Sequence, residues 1–147
     1  MALSDRIALL RSGELEQVAT PREIYNRPAT AYTAQFIGQT NLLRGRITDG
    51  MAECGTLQWR AGGPEGPATF SLRPENIRLC GDEVRGPMER VRFRATVRIQ
   101  TFGGATDLLE TACPDGRVIL VRIASRGAVD GDGEFEFSPE DAVLVRE

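Results

Sequence analysis

The sequence predicts a mainly β protein in which about eight to ten short strands close into a small barrel or a pair of barrels. Turn signals recur at short, regular intervals from residue 41 onward. Residues 90–100 alternate between apolar and polar side chains, which is typical of a strand with one core face. No segment after residue 38 keeps a helical period for more than about one turn. These three features favour antiparallel strands over a βαβ sheet.

The first forty residues predict a different arrangement, a strand–turn–strand followed by two short helices. Residues 5–10 indicate a linker or helix end that runs into a buried strand, and residues 15–19 a second strand after a turn. Thr20 can cap the first helix, with Glu23 completing a capping box. Pro28 limits this helix to one or two turns.

The second helix is also predicted from its ends. Thr30 is a candidate N-cap, and Gly38 is expected to end the helix in a left-handed conformation. Tyr32 and Phe36 lie four residues apart on one face, where we expect them to anchor the helix. We place a boundary near Thr40, which divides the chain into regions 1–40 and 41–147.

Turn residues divide the second region into hairpins. An Asp49–Gly50 turn is predicted to join strands at 42–47 and 51–59, and a Pro-Asp-Gly turn to join strands at 105–112 and 117–123. Segments 61–67 and 125–133 are predicted loops, and the remaining strands fall at 68–72, 77–79, 134–137 and 142–145.

The strand at residues 90–100 carries the clearest pattern. Its core face is predicted to comprise Val91, Phe93, Ala95, Val97 and Ile99. The other face carries four arginines, Arg90, Arg92, Arg94 and Arg98. These either form a solvated face paired with acidic residues of a neighbouring strand, or bind an anion or a nucleic-acid backbone.

Two short segments resemble each other, Pro74-Glu75-Asn76 and Pro139-Glu140-Asp141. We interpret them as two similar β corners of one pseudo-repeated barrel. Arg73 and Glu75 either hold the first corner together or contact a regulatory solute or a partner subunit. Core packing is favoured over ligand stacking for Trp59 and Phe102.

Composition excludes several kinds of chemistry. All 18 basic residues are arginines, and the chain has no lysine and no histidine. There is therefore no Ser-His or Cys-His pair, no usual zinc site and no phosphate loop ending in Gly-Lys-Ser/Thr. The net charge of −3 argues against nucleic-acid binding. The three cysteines are expected to be reduced thiols.

The chain resembles the C-terminal part of the ATP-binding subunits of ABC importers of the polyamine, iron(III), sulfate and sugar type. The family's Thr-Pro-x-Glu-Ile-Tyr-x-x-Pro segment is matched by residues 20–28, and its Phe-Ile-Gly-x-x-Asn junction by residues 36–41. Residues 71–75 match the Arg-Pro-Glu corner of the family's regulatory barrel. The resemblance implies that region 1–40 is the end of a nucleotide-binding domain with its connector, and that region 41–147 is a TOBE-type, OB-like regulatory domain.

The family's phosphate loop, signature motif, catalytic Glu and switch His have no counterpart here. We therefore expect a C-terminal piece without ATPase activity, without catalytic, cofactor or metal residues of its own, and with ATP and Mg bound elsewhere in the parent subunit. The resemblance implies a homodimer, permease partners reached through the nucleotide-binding domain, and a cytoplasmic location peripheral to the inner membrane.

Three functions remain open from the sequence. The chain is a regulatory and dimerisation module of an importer ATPase, a small-solute or oxyanion-binding module, or a nucleic-acid-binding barrel, which the charge disfavours. The candidate regulatory or interface residues are Arg73, Glu75, Arg92 and Arg94.

Overall fold

A computed structural model describes residues 5–81 and 89–147, and it confirms the mainly β, barrel-like fold. A hairpin of two strands and a connector of two short helices precede the barrel. These elements are β1 (Ile7–Arg11), β2 (Glu14–Ala19), α1 (Pro21–Asn26) and α2 (Ala31–Ile37). The barrel strands are β3 (Asn41–Thr48), β4 (Met51–Cys54), β5 (Leu57–Arg60), β6 (Gly66–Leu72), β7 (Ile77–Leu79), β8 (Val91–Phe102), β9 (Thr106–Ala112), β10 (Val118–Ala124), β11 (Gly131–Phe137) and β12 (Val143–Val145).

The barrel consists of two five-stranded antiparallel sheets. Their strand orders are β12-β6-β3-β4-β5 and β10-β9-β8-β11-β7. Two 3₁₀ turns carry the chain from one sheet to the other, and we call Pro74–Asn76 the first corner and Pro139–Asp141 the second corner. The first corner delivers β7 to the edge beside β11, and the second delivers β12 to the edge beside β6. The predicted pair of similar corners is therefore present.

One continuous core lies between the two sheets. Its largest buried aromatic side chains include Trp59, Phe70, Phe135 and Phe137. Trp59 meets Phe70 and Phe137 edge to face, with ring centroids 5.0 Å and 5.7 Å apart. Core packing of Trp59 is thus confirmed, and apolar burial of this kind is the main stabilising contribution to such a domain.

Two strand boundaries differ from those predicted. The predicted strand at 51–59 is two strands, because Gly55 adopts a φ of 62° and reverses the chain between β4 and β5. The predicted loop at 125–133 is shorter, because β11 begins at Gly131, where the backbone pairs with Val97 of β8.

The alternation along β8 holds only for its first half. Val91, Phe93 and Ala95 are buried as predicted, whereas Ile99 is 53% exposed. The register with β9 shifts between Val97 and Ile99, and this bulge turns the following side chains away from the core. Phe102, at the end of the strand, is 75% exposed, so the prediction that it packs in the core is wrong.

The predicted N-caps of both connector helices are confirmed. Thr20 accepts the Glu23 backbone N–H, and the Glu23 side chain accepts the Thr20 N–H, which completes the capping box. Thr30 accepts the Thr33 N–H in the same way. Gly38 does not adopt the predicted left-handed conformation, because its φ of 176° is extended.

The packing of the hairpin and of α2 is looser than predicted. Phe36 is 63% exposed and stacks on Tyr32, so it does not anchor the helix. Tyr32, the other predicted anchor, is partly buried against a small second core of Leu9, Ala19 and Ile24, in which Ile24 of α1 is fully buried. Leu9 is the only fully buried residue of β1, which is therefore not a buried strand.

No helix among residues 5–81 and 89–147 is long and apolar enough to cross a membrane.

Candidate functional site

The side chain of Arg73, directly before the first corner, lies inside the junction between the connector and the barrel. It is 4% exposed. Nη1 donates to the carbonyl oxygens of Ala34, Gly38 and Gln39, at 2.9, 3.2 and 3.0 Å. Nε and Nη2 donate to the carbonyl of Tyr25, at 3.4 and 3.1 Å. A single guanidinium therefore binds both helices of the connector to the barrel.

Two of the four acceptors of Arg73 are carbonyls in the last turns of the two helices. Tyr25 lies in the last turn of α1, and Ala34 lies in the last turn of α2. Such carbonyls have no partner inside their own helix and carry the negative end of the helix dipole. Arg73 thus binds carbonyls at the end of α2, where a left-handed Gly38 was predicted to form the cap.

Tyr25 completes the junction from the connector side. The Arg73 guanidinium lies over its ring, 4.3 Å from the centroid, in a cation–π contact. The Tyr25 hydroxyl donates to the Glu75 carboxylate. Burial and the Glu75 carboxylate raise the pKa of Tyr25, and burial lowers the pKa of Arg73. Buried Arg73, half-buried Tyr25 and exposed Glu75 therefore form one connected polar unit that runs from the junction to the surface.

Further hydrogen bonds fix the ends of the connector. Arg146, just after β12, exchanges backbone hydrogen bonds with Ala29 and Ala31, at 3.0 and 2.8 Å. Arg122 of β10 donates to the Gln39 side chain at 2.7 Å. The connector is thus held by groups from the first corner, β10 and the end of β12.

The hairpin is tied to the same connector. The Gln17 amide donates to the Arg27 carbonyl and accepts the Ala29 N–H, at 3.1 and 2.8 Å. The Thr30 hydroxyl donates to Glu16 at 2.8 Å. These hydrogen bonds attach the hairpin to the same connector that Arg73 binds.

Asn41 continues the junction into the barrel. Its amide donates to the carbonyls of Leu72 and Leu120 and accepts the Leu120 N–H, so it links both sheets. Tyr25 and Asn41 were not among the candidate site residues from the sequence. The available signal was the family motif itself, because both residues occupy its Tyr and Asn positions.

A polar cleft of about 390 Å³ opens beside the junction. The connector, the first corner and the second corner each supply part of its wall. The lining residues are Tyr25, Asn26, Arg27, Pro28, Ser71, Arg73, Asn76, Glu140, Asp141 and Val143. Burial and the neighbouring Glu140 carboxylate raise the pKa of Asp141.

The other two predicted site residues lie on the opposite sheet. Arg92 and Arg94 project from β8, in register with Glu136 and Glu134 of β11. Arg90, predicted on the solvated face, is mostly buried and forms an ion pair with Glu136, with Nε and Oε2 3.4 Å apart. The arginine row thus faces an acidic strand, whereas Arg73 and Glu75 lie in the junction.

The described part of the chain holds no group of His, Cys, Asp and Glu side chains that could bind a metal ion. Its three cysteines are free thiols, and burial raises the pKa of each.

Comparison with known families accounts for this architecture. The TOBE domain family matches residues 70–145, which include both corners and most of the barrel. The chain belongs to the TOBE domain family. The match starts within β6, so Arg73 and Glu75 lie inside the TOBE domain, whereas the connector precedes it.

Longer proteins resemble nearly the whole chain and support the resemblance seen in its motifs. The sn-glycerol-3-phosphate import ATP-binding protein UgpC of Rhizobium meliloti is 37% identical over 136 residues, which cover 92% of this chain and 38% of the relative. The protein of the same name from Brucella abortus biovar 1 is 33% identical over 132 residues, which cover 86% of this chain and 35% of the relative.

The spermidine/putrescine import ATP-binding protein PotA of Nitratidesulfovibrio vulgaris is 30% identical over 158 residues, which cover 98% of this chain and 41% of the relative. The TOBE chain therefore spans less than half the length of these relatives, and it corresponds to a region of an ABC importer ATP-binding subunit.

Proposed function

We propose that this chain is the regulatory and dimerisation region of the ATP-binding subunit of an ABC importer. Its barrel restrains the movement of the catalytic region, and the connector transmits that restraint. The supporting observation is the Arg73 side chain, which extends from the first corner of the barrel and binds the C-terminal ends of both connector helices. The Gln17 contacts continue this path to the β1–β2 hairpin.

The exposed side of the hairpin supports an attachment to further protein. Leu10, Leu15 and Val18 are exposed apolar residues on β1 and β2, and Phe36 of the connector is exposed as well. Exposed apolar surface of this kind marks an interaction site. We propose that the catalytic region of the subunit covers it, and that the permease is reached through that region.

The whole subunit is proposed to work as a homodimer at the cytoplasmic side of the inner membrane and to import a small solute. ATP and Mg would bind in the catalytic region, and the chain described here would not hydrolyse ATP alone. An assay of the isolated chain should give phosphate release at the buffer level, and turnover above that level would contradict the proposal.

The coupling role is tested in the complete importer with Arg73→Lys. Lysine keeps the charge but lacks the planar fork that reaches several carbonyls at once. We expect solute-stimulated ATP hydrolysis to fall by about tenfold, the equivalent of roughly 1.4 kcal/mol in activation free energy, while ATP binding is unchanged. The matched control is Arg46→Lys on the exposed face of β3. Equal stimulated rates in both variants would refute the coupling.

Dimerisation is tested separately by light scattering on the complete subunit and on this chain. We expect the complete subunit to dimerise, and to do so more weakly when residues 41–147 are deleted. A dimer of unchanged stability after that deletion would contradict a dimerisation role for the barrel.

A further inference from the structure

The outer surface of β8 and β11, which we call the charged face, has no part in the contacts between barrel and connector. On the other sheet, the connector covers part of the outer surface. Ser71 of β6 lies between two core residues and points away from the core, yet it is 2% exposed and bonds Thr40 at 2.7 Å. By contrast, Arg94 of β8 and Glu134 of β11 are exposed. The charged face is therefore accessible to another molecule.

Charges of opposite sign form two neighbouring rows on the charged face. β8 carries Arg94 and Arg98, and β11 carries Asp132 and Glu134, all of them exposed. In the register of the two strands, Arg94 lies directly opposite Glu134, and Thr96 lies directly opposite Asp132. These four charged side chains have no net charge together, but one row is positive and the other is negative.

The basic side chains of the charged face are not neutralised within the described chain. Arg94, Arg98 and Glu134 form no ion pair within residues 5–81 and 89–147, and Asp132 accepts the Thr96 hydroxyl at 2.6 Å. A recess of about 430 Å³ is lined by both arginines and by Asp132. Carboxylates are the preferred protein partners of guanidinium groups, so an acidic side chain of another molecule suits this recess.

We propose that the charged face binds the charged face of a second copy of the chain, an inference that rests on the dimer of the proposed function. A two-fold axis that runs parallel to the strands, between β8 and β11, places each β8 over the β11 of the other copy. Arg94 then faces the partner's Glu134, and Glu134 faces the partner's Arg94. Two-fold symmetry makes each such contact occur twice.

A second copy matches this face better than a partner with one sign of charge. Such a partner would be attracted by one row and repelled by the other, and like charges across an interface are costly. A copy turned about the two-fold axis presents a negative row to each positive row at the same spacing, because the rows are in register. The charge pattern thus selects the occupant.

Ile99 adds apolar surface beside the charges. It is 53% exposed, and it lies opposite Glu110 of β9 on the outer side of the sheet. Exposed ion pairs contribute little to stability and are weakened by salt. The contact is therefore a weak one that salt disrupts, which suits a restraint on movement better than a permanent assembly.

The experiment measures self-association of the chain by sedimentation velocity over a range of concentrations, at low and at high salt. We expect a dimer that dissociates more readily at high salt. Arg94→Glu and Glu134→Arg each turn an attraction into a repulsion at two symmetry-related places. Each variant alone should therefore dimerise at least tenfold more weakly than the unchanged chain.

An equimolar mixture of the two variants tests whether the contact is between chains. Every facing pair in the mixed dimer has opposite charges, so the mixture should dimerise about as strongly as the unchanged chain. Each variant keeps like charges within its own sheet, so only a contact between copies can produce this recovery. The matched controls are Arg46→Glu and Glu53→Arg, an exposed cross-strand pair on β3 and β4, and they should leave dimerisation unchanged.

Three results would overturn the proposal: no dimer of the folded chain at any concentration, a dimer unaffected by Arg94→Glu and Glu134→Arg, or no recovery in the mixture. A dimer that is unaffected by both variants rejects this face and leaves a dimerisation role of the barrel intact. Failure of the Arg73 coupling test does not bear on the charged face, because Arg73 lies in the junction.

Discussion

Replacing Arg73 with methionine should separate the connector from the barrel while the shape of the side chain is largely kept. The Arg73 nitrogens reach four carbonyls, but Nη1 has two hydrogens for its three acceptors, so these contacts amount to about three full hydrogen bonds. At a net 1–1.5 kcal/mol each, their loss costs roughly 3–4.5 kcal/mol. Relief of the desolvation of the guanidinium offsets part of this, which leaves about 2–4 kcal/mol.

The assay is urea unfolding at pH 7, combined with hydrogen exchange of the α2 amides. We expect Arg73→Met to lower the free energy of unfolding by the amount above, and to accelerate exchange in α2 more than in β8. Arg46→Met, on the exposed face of β3, should change the free energy by less than about 0.5 kcal/mol. A loss below about 1 kcal/mol for Arg73→Met, or uniform acceleration of exchange, would refute the reasoning.

Three further variants test local contributions by urea unfolding. Thr20→Ala removes the capping box and should lower the free energy of unfolding by about 1 kcal/mol. The control Thr101→Ala, at an exposed position of β8, should lower it little. Equal losses in the two variants would contradict the capping role. Hydrogen bonding from Gln100 lowers the pKa of Asp107 in the folded protein. The ionised carboxylate therefore stabilises the fold above about pH 4, and this stabilisation is lost as the pH falls through the folded pKa of Asp107. Asp107→Asn should be destabilising at pH 7 but not in acid. Burial raises the pKa of Asp141, so its charge is destabilising at neutral pH; Asp141→Asn should raise the free energy of unfolding at pH 7, and this gain should vanish below about pH 4. A pH-independent effect of either aspartate variant would contradict its assignment.

The features that the sequence predicted correctly depend on neighbouring residues. The caps at Thr20 and Thr30 are decided within one helical turn, and the Asp49–Gly50 hairpin within four residues. The repeated Pro-Glu-Asn/Asp segments specified two 3₁₀ corners for the same reason. Each of these structures is stabilised by residues that are close together in sequence, so the residue types predict it.

Several of the wrong predictions concern burial, which depends on distant strands. Ile99 keeps the apolar alternation of β8, but a bulge against β9 turns it outward. Phe102 and Phe36 are large and apolar, yet the elements that carry them extend beyond the core that would cover them. A bulge leaves no reliable sign in the sequence of one strand, because two strands must meet before the register is set.

The candidate site was predicted in part. The corner motif identified Arg73 and Glu75, but it did not indicate that the guanidinium would reach carbonyls 34 to 48 residues away in sequence. Backbone acceptors have no side-chain signature, so their partner cannot be read from residue types. Trp59 was predicted as a core residue, and only the structure shows that its N–H lacks an acceptor.

The exchange of edge strands at the two corners makes the halves of the barrel mutually dependent. Residues 41–81 supply β7 to the sheet built by the second half, and residues 89–147 return β12 to the sheet built by the first. Neither half expressed alone would contain all the strands of a sheet, and mixing the two fragments would be needed to restore the native assembly. Insertions into a loop of this domain should therefore be tolerated, whereas deletion of either half of the barrel should prevent the other half from folding.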